Sequence, residues 1–329
     1  MISEDNIQSA IAAGILDEAT AQALKAHAIA ANRNISDVAD EEHFRLISGF
    51  NDIFVVIASL LLITSIKWIG GAIYGNLLAA LTAWGLAEFF VLKRRMALPA
   101  ILLLLAFIGY LFAASQNGML TADISRAQSF TISSIVATIA AWLHWLRFKV
   151  PITIAAGTAA LVATCLTSLM AFITFFYLMP VAIVIGLGVF AFAMYWDKQD
   201  TKRQTQKSDV AFWLHLLAAP IIIHPVFELI GVLHGDINLM QASFALILYI
   251  AIGIISLLID RRALMVSALG YVVYVFSTLL SNMGHVDIGF AITAFTIGSA
   301  LLLLSAFWHQ CRASLLNLIP SKLKLSLPT

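Results

Sequence analysis

The chain has 329 residues, 61% of them hydrophobic and 11% charged, with a mean hydropathy of +0.94 and a formal net charge of +1. That composition lies far outside the range of a soluble globular domain, so a bilayer is the expected solvent. The expected class is all-α, a polytopic transmembrane helix bundle behind a short N-terminal helical module.

Residues 1–49 begin Met-Ile-Ser-Glu-Asp, without the basic start and apolar core of a cleaved signal, and are expected to be retained as a cytoplasmic acidic helical module. Ser3 can cap a helix carrying Ile7, Ala10 and Ile11, and Gly14 can end it. Asp17 can cap a second helix with Ala21, Leu24 and Ala28, and Ser36 a third that runs through Phe44, Leu46 and Ile47 into the first span. Eight acidic residues against three basic ones, net −5, argue against nucleic acid or anionic headgroups as partners and leave a cytoplasmic protein or the chain's own basic loops. A small cap on the bundle is the plainer role, because so short a segment buries little core alone.

A spanning helix needs about 20 mostly apolar residues to cross roughly 30 Å of hydrocarbon. Ten such stretches recur within residues 50–309. The first four run from about Ile53 to Trp68, Tyr74 to Leu92, Ala97 to Ser115 and Phe130 to Leu146. Pro151 then opens a run with no charge as far as Trp196. As one helix it would be roughly 70 Å long, twice what a membrane accommodates, so it is expected to fold back, with Tyr177 to Pro180 as the turn. The last four run from about Val210 to Leu233, Leu239 to Ile259, Ala263 to Leu280 and Ile288 to Trp308. Residues 310–329, with leucines around Lys322 and Lys324, are expected to form an interfacial tail.

Alternate loops differ sharply in positive charge. With an internal N-terminus, Lys25, Arg33, Arg45, the runs Lys93-Arg94-Arg95 and Arg147-Phe148-Lys149, Lys198, Lys202, Arg203, Lys207, Arg261, Arg262, Arg312, Lys322 and Lys324 all fall inside. Only Lys67 and Arg126 fall outside. Retention of positive charge on the cytoplasmic side sets topology, so both termini are expected there. Trp68 and Tyr177 are expected at outer headgroup level, and Trp142, Trp145, Tyr195, Trp196, Trp213 and Trp308 at inner headgroup level. Cys165 and Cys311 imply no disulfide framework.

With Gly14-Ile15-Leu16-Asp17-Glu18-Ala19-Thr20 followed by a first span ending Ile66-Lys67-Trp68, the layout resembles bacterial families of multi-pass membrane proteins with a short N-terminal helical region and no assigned activity. That resemblance implies a protein of the bacterial cytoplasmic (inner) membrane and transfers no catalytic motif. The span count is similar to that of the ten-helix drug and metabolite exporters, from which the chain departs by its N-terminal module and its lack of an alignable internal repeat.

Segment seven carries the densest chemistry. Pro220 and Pro225 each remove a backbone donor, so carbonyls near Leu216 and Ile221 are expected to be freed, as in the broken helices that line transporter sites. His224 and Glu228 are four residues apart and can share a helix face. Ionisable groups at that depth need a partner, a cavity or water. His215, Pro220, His224 and Glu228 are thus the candidate solute or proton pathway. The plainer alternative keeps His224 and Glu228 bonded near an interface while the prolines shape packing.

Asp209, His215 and His224 resemble the zinc set of membrane hydrolases only loosely, since the close His pairing is missing. His234, Asp236, His285 and Asp287 add external groups, but no His-Glu-x-x-His or paired Cys spacing appears, so no metal or other cofactor is expected. Glu88 is expected to pair with Lys93 to Arg95, and Asp52 and His144 to sit at unremarkable span ends. Gly186-Leu187-Gly188 lies inside an apolar span, where glycine permits close helix approach rather than nucleotide binding. In segment five, Ala156, Ala160, Thr164 and Ser168, with Ala159, Ala163, Thr167 and Ala171 beside them, make a small-residue face expected to place that helix centrally. The expected function is transporter-like. The first alternative is a membrane scaffold or assembly factor docking a cytoplasmic partner through residues 1–46, and the second a membrane-embedded metal hydrolase.

Overall fold

The computed structural model describes residues 11, 13–23, 50–119, 123–200, 203, 205–235, 237–282 and 289–318, and every regular element among them is helical. By compactness the chain divides into 1–43 and 44–329. In the first unit Gly14 takes φ +66° and its amide bonds the Ile11 carbonyl, a helix stop that only glycine adopts without strain. Thr20 bonds the Asp17 side chain and holds its carboxyl below the usual value, which marks Asp17 as the cap of the helical turn that follows. Ser3, Ile7, Ala10, Leu24, Ala28, Ser36, Phe44, Leu46, Ile47 and residues 319–329 of the tail lie outside the described residues.

The second unit consists of α1 (Phe50–Gly70), α2 (Asn76–Ala87, continued by a wider π-type turn Glu88–Lys93), α3 (Ala97–Gly118), α4 (Arg126–Phe148), α5 (Ile152–Leu169), α6 (Phe175–Lys198), α7 (Gln206–Ile230), α8 (Leu239–Ile259), α9 (Ala263–Asn282), α10 (Gly289–Ala306) and α11 (Trp308–Leu318). Among the described residues eight segments are long and apolar enough to cross a membrane, or nine if the pair Ala291–Ala306 and Trp308–Asn317, bent by 73°, counts as one. Large apolar side chains such as Leu61, Leu81, Ile139, Val184 and Ile247 are exposed on their outer faces. With water as solvent such a surface would aggregate; the architecture is that of a multi-pass membrane protein.

The first apolar segment covers 44 residues, Phe50–Lys93, and it reverses. Gly71 sits at φ +77° in the turn Gly71–Gly75, where a side chain would be strained by the backbone alone, and a Cβ on Gly70 would come within 2.6 Å of the Gly75 Cα, so Gly70 has no room for a side chain. Asn117 at the end of α3 donates to the Ala72 carbonyl at 3.0 Å and ties the turn to its neighbour. α2 then lays Ala79, Ala80, Ala83 and Ala87 against Leu103, Leu104 and Phe107 of α3. Small side chains bring helices together where lipid supplies no hydrophobic drive.

The uncharged run after Pro151 does fold back, but at Met170–Thr174; α6 already begins at Phe175 and carries Pro180 within it. Pro180, the sixth residue of α6, removes the bond its amide would give to the Phe176 carbonyl, yet the helix continues through it, as membrane helices do where neighbouring groups re-satisfy the freed carbonyl, so Pro180 does not mark the turn expected at Tyr177 to Pro180. Helix α5 packs on α3, α4, α6 and α7, but α7 is the more deeply buried of the two. Half of its apolar window is buried inside the protein against 22% for α5, and it packs on α5, α6 and α9. Closest approach to α6 is at Gly186, where a Cβ would fall 2.6 Å from Ile222 Cγ1 and 3.1 Å from its backbone nitrogen. Gly188 has no such neighbour. Gly231 ends α7 at φ +78°, and Gln241 of α8 donates to the freed Ile230 carbonyl at 3.1 Å.

Candidate functional site

At the end of the bundle where α6 and α8 finish and α7 begins, charged side chains are buried together. Ser208 and His215 are seven residues apart on α7, two turns along one face. His215 is fully buried, with Nε2 2.8 Å from Asp197 Oδ2 at the end of α6. A carboxylate only accepts, so Nε2 carries a proton; Nδ1 is buried with no hydrogen-bond partner among the described residues. The second oxygen of Asp197 pairs with Arg261 Nη2, which also donates to the Ser208 hydroxyl at 3.1 Å and carbonyl at 3.3 Å. Asp197 and Arg261 are 2% and 1% exposed, so the two charges compensate each other out of solvent.

Arg261 is aimed by its local backbone. Asp260 stops α8 in a left-handed conformation at φ +60°, which aspartate tolerates better than most residues. The Arg261 amide then reaches back to the Ser256 carbonyl at 2.9 Å, and the Ser256 hydroxyl donates to the Arg261 carbonyl at 2.5 Å. Asp260 is itself clamped: Oδ2 lies 3.1 Å from Arg203 Nη1, and Oδ1 accepts from Trp308 Nε1 at 2.8 Å and lies 3.8 Å from Arg312. Arg203 further donates to the carbonyls of Ile259 and Asp260 at 3.2 and 2.9 Å. Asp200 Oδ2 accepts from both the amide and the hydroxyl of Thr205 at 2.7 Å, closing the α6–α7 connection. One ionic network thereby fastens α6, α7, the α8–α9 corner and α11.

The four residues expected to form a pathway are not gathered into one site. His215 belongs to the ionic network. Pro220 and Pro225 lie within an α7 that runs unbroken from Gln206 to Ile230, and Leu216 has a partner, so the expected broken helix with free carbonyls is not found. In a membrane helix, neighbouring groups re-satisfy what proline frees. His224 is exposed, with Nδ1 3.1 Å from the Tyr271 hydroxyl of α9, while Glu228, one turn on, is partly buried and partnered. The zinc-type set Asp209, His215 and His224 is likewise not assembled, and no group of three or more His, Cys, Asp or Glu that could hold a metal occurs among the described residues. Asp236, His285 and Asp287 and the His234 side chain are outside them.

Glu88 pairs bidentately with Arg147 of α4 at 2.8 and 2.7 Å, across helices, and not with the neighbouring Lys93 to Arg95. The Arg147 guanidinium matches both carboxylate oxygens at once, while Lys93 and Arg94 lie over the Phe89 ring at 5.9 and 5.6 Å. His144 is fully buried among Trp84, Phe107 and Phe148, with Nδ1 3.3 Å from the Thr153 hydroxyl. Trp308 is 2% exposed and serves Asp260, unlike the exposed Trp68, Trp142, Tyr177 and Tyr195. Sequence reasoning passed over the Asp197, Arg261 and Asp260 cluster. Its one legible signal was acidic residues closing apolar spans beside arginines. No protein-family profile, curated protein or solved structure matches the chain, and neither likeness in layout gains a relative from that comparison.

Proposed function

We propose that the chain crosses a bacterial cytoplasmic membrane ten times with both termini inside, and that it moves a small solute or proton along α7. Ten crossings follow when the two arms of Phe50–Lys93 count separately and the bent pair at α10 and α11 counts once. The positive loops then fall inside, and the Asp197–His215–Arg261 triad sits at the cytoplasmic end of the pathway as its inner gate. The observation that carries this reading is a fully buried histidine bonded to a paired carboxylate on the most buried helix of the bundle. Ionisable groups buried within a membrane bundle are costly and mark pathways and relays by default. A buried pair adds little stability over an apolar replacement, so its retention favours a switching role. Protein in liposomes loaded with a pH-reporting dye should pass protons under an imposed gradient, and Asp197→Asn should alter the rate. Dye traces identical to those of empty liposomes would end the proton form of the reading.

A scaffold is the second reading, and one observation favours it. Clefts of about 580, 430, 330 and 190 Å³ open elsewhere on the bundle, and none of these borders His215, Pro220, His224 or Glu228. A scaffold would tolerate change at His215 and lose its cytoplasmic protein partner when residues 1–46 are deleted.

A further inference from the structure

Helices α8 and α10 both pack on α9 and scarcely touch each other. A cleft of about 580 Å³ opens between them, floored by Met265, Val272 and Phe276 of α9, and no charged side chain borders it. Its volume is within the roughly 300–1,000 Å³ usual for small-ligand sites. A second cleft of about 190 Å³ shares Tyr249, Met265, Leu301 and Leu304 with the first, so the two form one slot. That slot changes character at its far end, which is bordered by Arg262, Ser305 and Trp308. The Arg262 guanidinium lies 4.9 Å from the Trp308 ring centre and donates to the Ser305 hydroxyl at 3.4 Å. Where the two clefts meet, the Tyr249 hydroxyl is buried with no hydrogen-bond partner among the described residues.

An apolar slot open to the bilayer, with an unsatisfied hydroxyl midway and a cation at its mouth, has the polarity of a phospholipid: chain, ester region, phosphate. We infer that the slot holds one acyl chain of an anionic phospholipid whose phosphate lies against Arg262 and whose ester region meets Tyr249. A zwitterionic lipid would bring a choline cation together with its phosphate beside the arginine, and a water-soluble anion would leave the apolar length empty. The inference rests on the membrane placement of these helices and is independent of whether α7 conducts.

The test titrates delipidated full-chain protein in detergent with phosphatidylglycerol or phosphatidylcholine of identical chains, and counts bound lipid by native mass spectrometry. One arginine near a phosphate corresponds to about a fivefold preference for the anionic lipid, and Arg262→Gln should abolish it while Arg262→Lys keeps most of it. Gly253→Leu should weaken both lipids several-fold, because a Cβ there meets only Met265 Cε at 3.5 Å and the rest of the side chain enters the slot. Glycerophosphoglycerol and inorganic phosphate, which carry the charge without chains, should not compete. Any of three results overturns the inference: an anionic preference that survives Arg262→Gln, lipid binding indifferent to Gly253→Leu, or displacement by the headgroup alone. A dimer dispersed by added lipid would assign the slot to a second copy and overturn it equally.

Discussion

Asp197 and Arg261 show how burial changes the worth of a contact. Removing one member of a buried pair leaves the other charge uncompensated, which costs about 3–5 kcal/mol, whereas removing both is far milder. Asp197→Asn and Arg261→Gln should therefore each lower the melting temperature of the detergent-purified protein sharply, and the double variant should recover much of the loss. Similar melting curves for all three would mean that the triad is not compensated as described. The Glu88–Arg147 pair has equally good geometry but is not enclosed by the protein, with the arginine side chain 54% exposed, and Glu88→Gln should leave the melting temperature nearly unchanged. Glycine makes a parallel contrast. Gly186→Ala would drive a methyl into the Ile222 backbone, an overpacking worth about 1–3 kcal/mol, while Gly188→Ala meets open space and should be neutral or stabilising by up to about 1 kcal/mol. Equal effects at the two positions would deny the close α6–α7 approach.

At the scale of elements, apolar runs broken by charge made the helices legible, because in lipid each helix must satisfy its own backbone. Where an element ends depends on backbone geometry that composition does not reveal. Pro180 reads as a turn in sequence and lies inside α6, while the actual turn at Met170–Thr174 has no proline and no glycine. The small-residue stripe of α5 correctly signals a close neighbour, with Gly157 against Ala141 of α4, yet it says nothing of how many neighbours there are. The greater burial belongs to α7, which no such stripe announces. The ionic network was illegible for a related reason: its members come from positions 197 to 312, and only the folded chain shows that Asp260 faces Arg203 and Trp308 and not the arginines beside it in sequence. The Gly70–Gly75 reversal is the most exposed element to test. Gly71→Ala places a β-carbon in a left-handed conformation at a cost of about 1–2 kcal/mol, and thermal unfolding should register it, whereas a straight Phe50–Lys93 helix would gain stability from the same change.

For the whole molecule, the asymmetry of Lys and Arg predicts a single orientation. A cysteine placed beside Asp123 should react with an impermeant thiol reagent applied to intact cells, and one at Lys207 should react only after the membrane is opened. The opposite pattern would invert the bundle and put the ionic network on the outside. The account as a whole turns on whether water reaches α7. In protein with Cys165 and Cys311 replaced by serine, single cysteines at Leu216, Ala219, Ile222 and Val226 should be exposed to a charged thiol reagent from each side in turn. Labelling of at least one of these positions from outside, extended to the cytoplasmic side when Asp197→Asn breaks the triad, is the expected result. Four unreactive cysteines with the triad both intact and broken would make α7 a dry structural helix and the network a clamp.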